Sequence, residues 1–484
     1  MAQRTSIDKE KDFETAVSAP VDDISPEDDK RIRRKIDAIV LPAMFIIFCL
    51  QFLDKICMSY AAVMGFMEDN HLTTGQFTWL GSILWLGFLI GQYPQNLLMQ
   101  RFPIPKVLAV NIVIWGVVLC MMAVAHNFAG LMGCRFLLGF CEACVTPGFA
   151  VMTGQWYKVR EQGARTGFWL SFAGLGFIIG GSMGYGLAQA NDQGKLALAG
   201  WKVLFIILGV VTVASGVAFG LVVPNSPSTA WFFNEEDRKL AVLRVRANQQ
   251  PTKSEWDWKQ CREAILDPLT WCYAGVAFFC MIPSGGTGIL FTLLIKSFGF
   301  TSLQTLLLGM VNAWLSFNYA FFPWLGDKIK NRCAVAAVWP LVGIAGLAMV
   351  WAVPTHLRVV RLIGYYLITP QIVSYVTTIS LITSNVAGKT KRTTVNIIYF
   401  VAVCTGNLIG PQMYRAKDAP KFTFFYTFNI ACIAMTVVLI VVILLIYRRE
   451  NARRDKLEAA NGVVEFDPDS DFTDRTNPHF RYAY

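Results

Sequence analysis

The chain has 484 residues, of which 54% are hydrophobic and only 16% are charged, with a formal net charge of +10. Long uncharged runs alternate with short basic clusters. This pattern excludes an ordinary soluble globular protein and predicts an all-α protein that crosses a lipid bilayer many times. Because the basic residues lie between apolar segments and form no separate domain, the positive charge does not indicate nucleic-acid binding.

The order of polar and apolar segments predicts two six-helix bundles. Residues 1–37 are polar and are expected to form a cytosolic tail without a cleavable signal peptide. A first bundle follows at 38–223, a cytosolic central loop at 224–268, a second bundle at 269–447 and a cytosolic tail at 448–484. Apolar windows of about twenty residues place the twelve transmembrane helices at 38–60, 77–99, 107–125, 128–151, 165–188, 201–223, 269–291, 303–325, 333–353, 361–384, 393–413 and 423–447.

The connecting segments set the orientation. Most of the 43 lysine and arginine residues fall into alternate segments, which the positive-inside rule places in the cytosol together with both termini. Two of these loops are similar: the loop after the second span carries Arg101, and the loop after the eighth carries Asp327, Lys328 and Arg332. Paired loops are typical of transporters built from repeats, although short cytosolic loops are basic in any case. We expect these four residues to belong to a cytosolic gate.

Two predicted spans contain charged residues, which are rare inside a membrane. Span 38–60 holds the adjacent pair Asp54 and Lys55, and span 128–151 holds Arg135 and Glu142. A charge at the bilayer centre costs on the order of 2.5–3.5 kcal/mol, so all four are expected to face the protein interior or a water-filled cavity. The spacing places Arg135 and Glu142 on one helix face about 10 Å apart, whereas Asp54 and Lys55 are about 100° apart.

The charges of these side chains indicate two kinds of chemistry. Lys55 and Arg135 are suited to hold a carboxylate, Arg135 with a planar fork and Lys55 as a point charge. Asp54 and Glu142 are carboxylates that can take up and release a proton. A structural role competes with this interpretation, because the second pair can form a salt bridge or a helix clamp. The first pair can lie near the external helix end and extend to water.

Two other spans have unusual glycine content. The sequence PSGGTG at 283–288 predicts a break in the seventh span, which forms either a wall or gate of the site or a kink without a ligand role. The fifth span carries a stripe of small residues that favours close helix packing, formed by Gly176, Gly180 and Gly184.

Polar residues recur along the eleventh span. Asn396 and Asn407 are three helical turns apart and therefore share one face. Tyr399 and Gln412 add further polar groups to the same span. Contact with a substrate and hydrogen bonding between helices explain these residues equally well.

Several motifs resemble the anion:cation symporter family of the major facilitator superfamily. FLDK at 52–55 is similar to the first-span element of that family, and RFLLGFCEACVTPG at 135–148 is similar to its fourth-span signature. PNSP at 224–227, with the sequence WFFNEEDR after it, resembles the central loop of the fungal allantoate permease branch. GKTKR at 388–392 and GNLIGPQ at 406–412 resemble the same branch. The resemblance extends over about 38–447.

The chain departs from the family in two places. The loop motif of the superfamily is degraded, with Gln100 where an aspartate is expected in its first copy. Cys57 and Met58 stand where the family usually has Asn followed by Ile or Leu, so a polar side chain that lines the site is expected to be missing. The resemblance otherwise implies proton coupling for the residues matching Asp54 and Glu142. It implies anion binding for those matching Lys55 and Arg135.

The sequence therefore predicts a monomeric carrier that couples protons to the uptake of a small organic anion by alternating access. The expected substrate contacts are Lys55, Arg135, Asn396 and Asn407. The expected location is the plasma membrane, with the vacuolar membrane as the alternative. An exporter of drugs or secondary metabolites on the same fold, or a nutrient sensor that does not transport, are the competing hypotheses. No H-E-x-x-H or nucleotide-loop motif occurs in the sequence, so neither enzyme activity nor a cofactor is expected.

Overall fold

A computed structural model describes residues 24–245, 256–314, 321–322, 324–326, 328–418, 422–461, 472–477 and 479–484. Every regular element in this part of the chain is a helix, as the all-α prediction requires. The first half of the chain contains Pro26–Ala62 (α1), Thr74–Arg101 (α2), Ile104–Met122 (α3), Phe128–Trp156 (α4), Val159–Asp192 (α5) and Gly200–Val222 (α6). Helices α4 and α5 each contain one irregular turn, after Glu142 and after Ser171.

The second half contains Pro268–Ser297 (α7), Ser302–Gly309 (α8), Arg332–Ala352 (α9), Arg358–Asn385 (α10), Lys389–Ile409 (α11) and Thr423–Asn461 (α12). Short helices at Phe66–Asp69, Glu235–Val245 and Trp258–Leu266 lie between them. Short 3₁₀ turns occur at Pro227–Thr229, Met310–Trp314, Thr369–Gln371, Gly410–Met413 and Ala416–Asp418.

Ten of the described helices are long and apolar enough to cross a membrane, which makes the chain a multi-pass membrane protein. Helix α2 is not among these ten, although its 28 residues coincide with the predicted second span. Its glutamines and Asn96 lower its apolar character. The predicted eighth span, 303–325, is described only in part, as α8, the turn Met310–Trp314 and helical residues at 321–322 and 324–325. The count of twelve spans and the cytosolic placement of the termini stay predictions.

Two helices extend beyond the predicted apolar segments. Helix α1 begins at Pro26, inside the predicted tail, because Ser25 caps it and accepts a hydrogen bond from the Asp28 amide at 3.2 Å. Helix α12 continues to Asn461, and the carboxylate of Glu450 pairs with Arg453 and Arg454 at 2.8 Å on its polar extension. Apolar windows locate the part of a helix that lies in lipid. Capping and ion pairs stabilise the helix beyond that part.

The predicted central loop contains a helix that is fixed to the start of α1. Asn234 caps Glu235–Val245 by accepting from the amide of Asp237 at 2.8 Å. The carboxylate of Asp237 in turn accepts from Arg31 at 2.8 Å and from Lys35 at 2.6 Å. Burial raises the pKa of Asp237, but these two cations outweigh it and lower the pKa below its usual value. The loop is therefore anchored by ion pairs at one end of the first half.

The predicted break in the seventh span is wrong. Helix α7 runs without interruption from Pro268 to Ser297, with Pro283 inside it. The glycines that follow Pro283 serve close packing, because a Cβ on Gly285 would lie 2.8 Å from the Cα of Asn407 in α11. Glycine and proline in this sequence thus mark a tight contact between two helices.

The glycine stripe of the fifth predicted span packs against neighbouring helices, as expected. A Cβ on Gly176 would lie 3.1 Å from Phe52 of α1, and one on Gly180 would clash with Tyr60 of α1. Gly184 instead faces Leu306 of α8, where a Cβ would lie 3.1 Å away. The stripe therefore lets α5 approach both α1 and a helix of the second half.

Candidate functional site

The four charged residues of the first half lie together between α1 and α4, where they pair crosswise. Nζ of Lys55 lies 3.4 Å from Oε2 of Glu142, and Nη1 of Arg135 lies 3.8 Å from Oδ1 of Asp54. The side chains of Asp54 and Arg135 are 1% exposed and that of Glu142 is fully buried, whereas Lys55 is 23% exposed. The salt-bridge interpretation therefore describes this conformation, but each bridge joins two helices instead of two residues of one helix.

A glycine contact sets the position of α4. Gly139 lies between Arg135 and Glu142 in the sequence, and a Cβ there would overlap the carbonyl oxygen of Leu84 in α2. Gly87 of α2 makes the reciprocal contact with the backbone of Phe136. The two backbones can approach this closely only because both positions lack a side chain. The signature that carries the two charges thus also packs α4 closely against α2.

Asp54 is held by more than its pairing with Arg135. Its Oδ2 accepts a hydrogen bond at 2.7 Å from Nε1 of Trp115, a fully buried residue of α3. Sequence reasoning missed Trp115, because a tryptophan in an apolar run carries no polar signal. The bond fixes the carboxylate of Asp54 on one side and leaves its other oxygen facing Arg135.

Cys57, which stands where the family usually has a polar side chain, packs against Asp54 in this structure. It is fully buried, and its thiol donates to the carbonyl oxygen of Asp54 at 2.9 Å and lies 3.6 Å from Oδ1 of Asp54. One helical turn separates the two residues, so the thiol folds back along α1. The side chain at this position therefore contacts Asp54.

Arg135 and Glu142 both have buried polar atoms without a hydrogen-bond partner among the described residues. Within the described residues, Nε and Nη2 of Arg135 have no hydrogen-bond partner, and neither carboxylate oxygen of Glu142 accepts a hydrogen bond. Each such buried group costs about 1–3 kcal/mol. The site therefore offers two guanidinium N–H groups to an anion and one carboxylate to a proton.

Lys55 faces an aromatic wall that involves both halves of the chain. Its ammonium lies 5.6 Å from the ring centre of Trp85 and 5.1 Å from that of Phe88, both on α2. The ring of Phe88 packs 5.9 Å from Phe400 of α11, and Phe88 also contacts Cys404. Lys55 is thus the one partly exposed charge of the cluster, next to the contact between the halves.

The two asparagines of the eleventh predicted span lie in different environments. Asn396 is exposed, whereas Asn407 is 3% exposed and donates to the carbonyl of Val403 in its own helix at 2.9 Å. Their shared face is consistent with helical geometry, because eleven residues advance the helix by three turns. They differ in burial because Asn407 lies where α11 packs on Gly285, while Asn396 lies nearer the start of the helix.

The predicted gate residues are described in part. Arg101 is the last residue of α2 and is exposed, and Asp327 lies outside the described residues. Lys328 is exposed, with its ammonium 5.1 Å from the ring centre of Trp324. Arg332 begins α9 and donates to the hydroxyl of Ser384 in α10 at 2.7 Å. This hydrogen bond of Arg332 joins two helices of the second half of the chain.

Polar contacts join the two halves at the end of the helices opposite to the start of α1. The hydroxyls of Ser59 in α1 and Thr292 in α7 are 2.9 Å apart. Ser82 of α2 donates to the carbonyl of Leu408 at 2.6 Å and accepts from Nε2 of Gln412 at 2.9 Å. This end is the external end under the predicted orientation, so the described conformation is closed on that side.

We expect a disulfide at this contact to stop transport. Replacing Ser59→Cys and Thr292→Cys together places two thiols where the hydroxyls now touch, within reach of a disulfide. Oxidation should lock the closed end and reduce uptake to background, and dithiothreitol should restore it. Each single variant is the control, because it adds one thiol without the partner. Full uptake by the cross-linked protein would contradict an opening at this end.

The sequence matches the Major Facilitator Superfamily over residues 44–411. An uncharacterized transporter of Schizosaccharomyces pombe is 40% identical over 97% of this chain and 92% of its own length. The allantoate permease of Saccharomyces cerevisiae is 35% identical over 95% of this chain and 88% of that protein. The thiamine pathway transporter THI73 of the same yeast is 30% identical, with 95% and 87% covered.

Solved structures show the same fold. A bacterial homologue of the human lysosomal transporter Spinster, in an inward-facing and occupied conformation, superposes with a TM-score of 0.64. It is 15% identical over 84% of this chain and 96% of that chain. The xylose transporter XylE of E. coli, partially occluded and inward open, gives 0.62 at 12% identity, with 83% and 96% covered. The chain is therefore a secondary transporter and not an enzyme, and it belongs to the major facilitator superfamily, in the branch that contains the yeast allantoate permease.

Proposed function

We propose that this transporter takes up a small organic anion, a monocarboxylate, together with a proton by alternating access. The observation that carries the proposal is the crosswise cluster, in which a buried arginine has two unpaired N–H groups and a partly exposed lysine is paired with a buried glutamate. Arg135 and Lys55 bind the carboxylate, Asp54 fixes Arg135, and Glu142 carries the proton.

Charge balance links the two solutes. The cluster holds two cations and two carboxylates, so its formal charge is zero when no substrate is bound. A proton on Glu142 removes one negative charge and releases Lys55 from its partner at 3.4 Å. A single carboxylate then restores neutrality, whereas a dianion leaves an uncompensated charge in a low-dielectric site. The cluster therefore favours one proton for each monocarboxylate.

The conformational cycle follows from the same contacts. The bundles 38–223 and 269–447 rock about the site, and the contact between Ser59 and Thr292 opens to admit substrate and proton from outside. Asn396 and Asn407 complete the binding site from the second bundle. Arg101, Asp327, Lys328 and Arg332 belong to the gate at the cytosolic end. In this proposal, the chain imports a nutrient and acts as a monomer in the plasma membrane.

The aromatic wall narrows the class of substrate. Lys55 is accessible next to Trp85 and Phe88, so a carboxylate bound to Lys55 has its organic part against these rings. The yeast relative named allantoate permease and the thiamine pathway transporter share this branch. We propose small monocarboxylates with an apolar or planar body as the substrates of this chain.

Uptake measurements test the proposal. The chain is expressed in a yeast strain that lacks the corresponding carrier of the host. Radiolabelled mono- and dicarboxylates are supplied at external pH 5 and pH 7. We expect at least one monocarboxylate to accumulate faster at pH 5, and a protonophore to abolish its accumulation. Accumulation that depends neither on external pH nor on the protonophore would contradict the proposed proton coupling. Outward transport alone would contradict the proposed direction.

A further inference from the structure

A charged cavity lies where α7 begins and α12 becomes polar, far from the four-charge cluster in the sequence. It has a volume of about 670 Å³ and is lined by the first turn of α7, the polar part of α12 and the C-terminal segment, which contributes Arg475 and Tyr482. Four arginines from two of these elements line it, namely Arg449, Arg453, Arg454 and Arg475. Volumes of this size are typical of sites for small ligands.

The acidic residues of the cavity do not neutralise these four cations. Glu450 pairs with both Arg453 and Arg454 at 2.8 Å, and Asp267 accepts from Arg475 at 3.2 Å. Among the described residues Arg449 makes no hydrogen bond or ion pair, and its side chain is exposed. Two carboxylates therefore face four guanidinium groups, and the cavity is set up to hold an anion.

The arginines come from separate parts of the chain and are held in place. Arg454 donates to the carbonyls of Asp474 at 2.8 Å and Phe480 at 2.7 Å, so it anchors the C-terminal segment to α12. The side chain of Arg454 is buried by these contacts, while Arg453 remains 66% exposed. The cavity is therefore a built site in which fixed and free guanidinium groups converge.

The cavity lies where the apolar part of α12 ends and its basic part begins. Its lining includes Ile446, and the residues just before it in α12 form an uncharged apolar run, whereas the arginines follow immediately. Leu445 is 51% exposed, Leu266 is 64% exposed and Trp271 of α7 is 57% exposed. Exposed apolar and tryptophan side chains next to arginines are typical of the boundary between acyl chains and headgroups.

We propose that this cavity binds the phosphate-bearing headgroup of an anionic phospholipid, with Arg449, Arg453 and Arg475 as its ligands. Guanidinium groups match phosphate geometry in a bidentate fashion, and basic pockets between membrane helices on the cytosolic side hold such headgroups. The apolar residues beside the cavity accommodate the acyl chains. A free phosphate anion shares the headgroup chemistry but gains nothing from the apolar flank, which is why the lipid is the proposed ligand.

Thermal unfolding of the purified full-length protein in detergent tests the proposal. Dioctanoyl phosphatidylinositol 4-phosphate is titrated, with dioctanoyl phosphatidylcholine and inorganic phosphate as separate arms. We expect the anionic lipid to raise Tm in a saturable manner, because a ligand bound to the folded state stabilises it. Arg449→Ala should weaken the apparent affinity about tenfold, the scale of one charge-assisted hydrogen bond to phosphate.

Matched variants separate the site from general surface charge. Arg448 is the neighbour of Arg449 and is also exposed, but it does not line the cavity, so Arg448→Ala should leave the affinity unchanged. Arg453→Ala provides a second exposed position if the first variant unfolds. An equal loss in Arg448→Ala, an equal Tm gain with phosphatidylcholine, or saturation by inorganic phosphate at the same concentration would each overturn the proposal.

Discussion

Arg135→Ala is expected to reduce substrate uptake about 100-fold or more at unchanged abundance in the membrane. The variant removes the two unpaired N–H groups that we assign to the anion and also removes the cation 3.8 Å from Asp54. Truncating one partner of a buried charge pair costs about 2–5 kcal/mol, and each 1.4 kcal/mol is a factor of ten in affinity. Initial rates of labelled monocarboxylate uptake, normalised to protein at the cell surface, measure the effect.

Two companion variants separate binding from folding. Arg135→Lys keeps the charge but loses the fork, so we expect it to bind the substrate weakly and to retain a small fraction of uptake. The double variant Asp54→Asn with Arg135→Gln removes both charges and leaves no unpaired ion, so it should fold while failing to transport. Wild-type uptake by either Arg135→Ala or the double variant would exclude Arg135 from the anion site.

The charged residues were the most informative part of the sequence. An ionisable group in an apolar span must find a partner or water, so its interior position follows from solvation energy alone. The spacing also indicated that Arg135 and Glu142 share a face. It did not reveal which charges pair, because crosswise pairing depends on how closely α1, α2 and α4 approach. Gly139 sets the approach of α4 to α2.

Glycine and cysteine were harder to interpret. A run with Pro283 and two glycines is consistent with either a broken helix or a tight helix contact, and only the position of Asn407 on the neighbouring helix distinguishes the two. The family pattern at Cys57 carries no information on the direction of the Cys57 side chain. The thiol points to Asp54 because α1 is regular there, and one turn brings the two residues together.

The long polar extensions had no apolar signal at all. Helix α12 continues through Arg453 and Arg454 because ion pairs and the C-terminal segment stabilise it. A hydrophobicity window detects only the apolar part of a helix. It therefore predicts that this helix ends at the membrane boundary. The basic cavity beside Arg449 therefore gives no signal in the sequence, where Arg475 lies 21 residues after Arg454.

Glu142→Gln is expected to separate exchange from net uptake. The amide cannot carry a proton, and it leaves Lys55 without its carboxylate partner at every pH. Substrate binding should therefore become independent of pH, because Lys55 no longer needs protonation of its partner to be released. The empty carrier, in contrast, then holds Lys55 without a carboxylate partner, which is unfavourable by several kcal/mol once the site closes around this cation. The return step of the cycle should fail, while the loaded carrier still crosses.

Two transport modes reveal this difference. Net uptake should fall at least tenfold at pH 5 and lose its stimulation by acid, while exchange of labelled for unlabelled substrate across the membrane should persist at a similar rate at pH 5 and pH 7. Glu68→Gln is the matched control, because Glu68 is an exposed carboxylate of the first half outside the cluster. If Glu142→Gln kept acid-stimulated accumulation, the proton would have to bind elsewhere, and Asp54 would be the remaining carboxylate of the cluster.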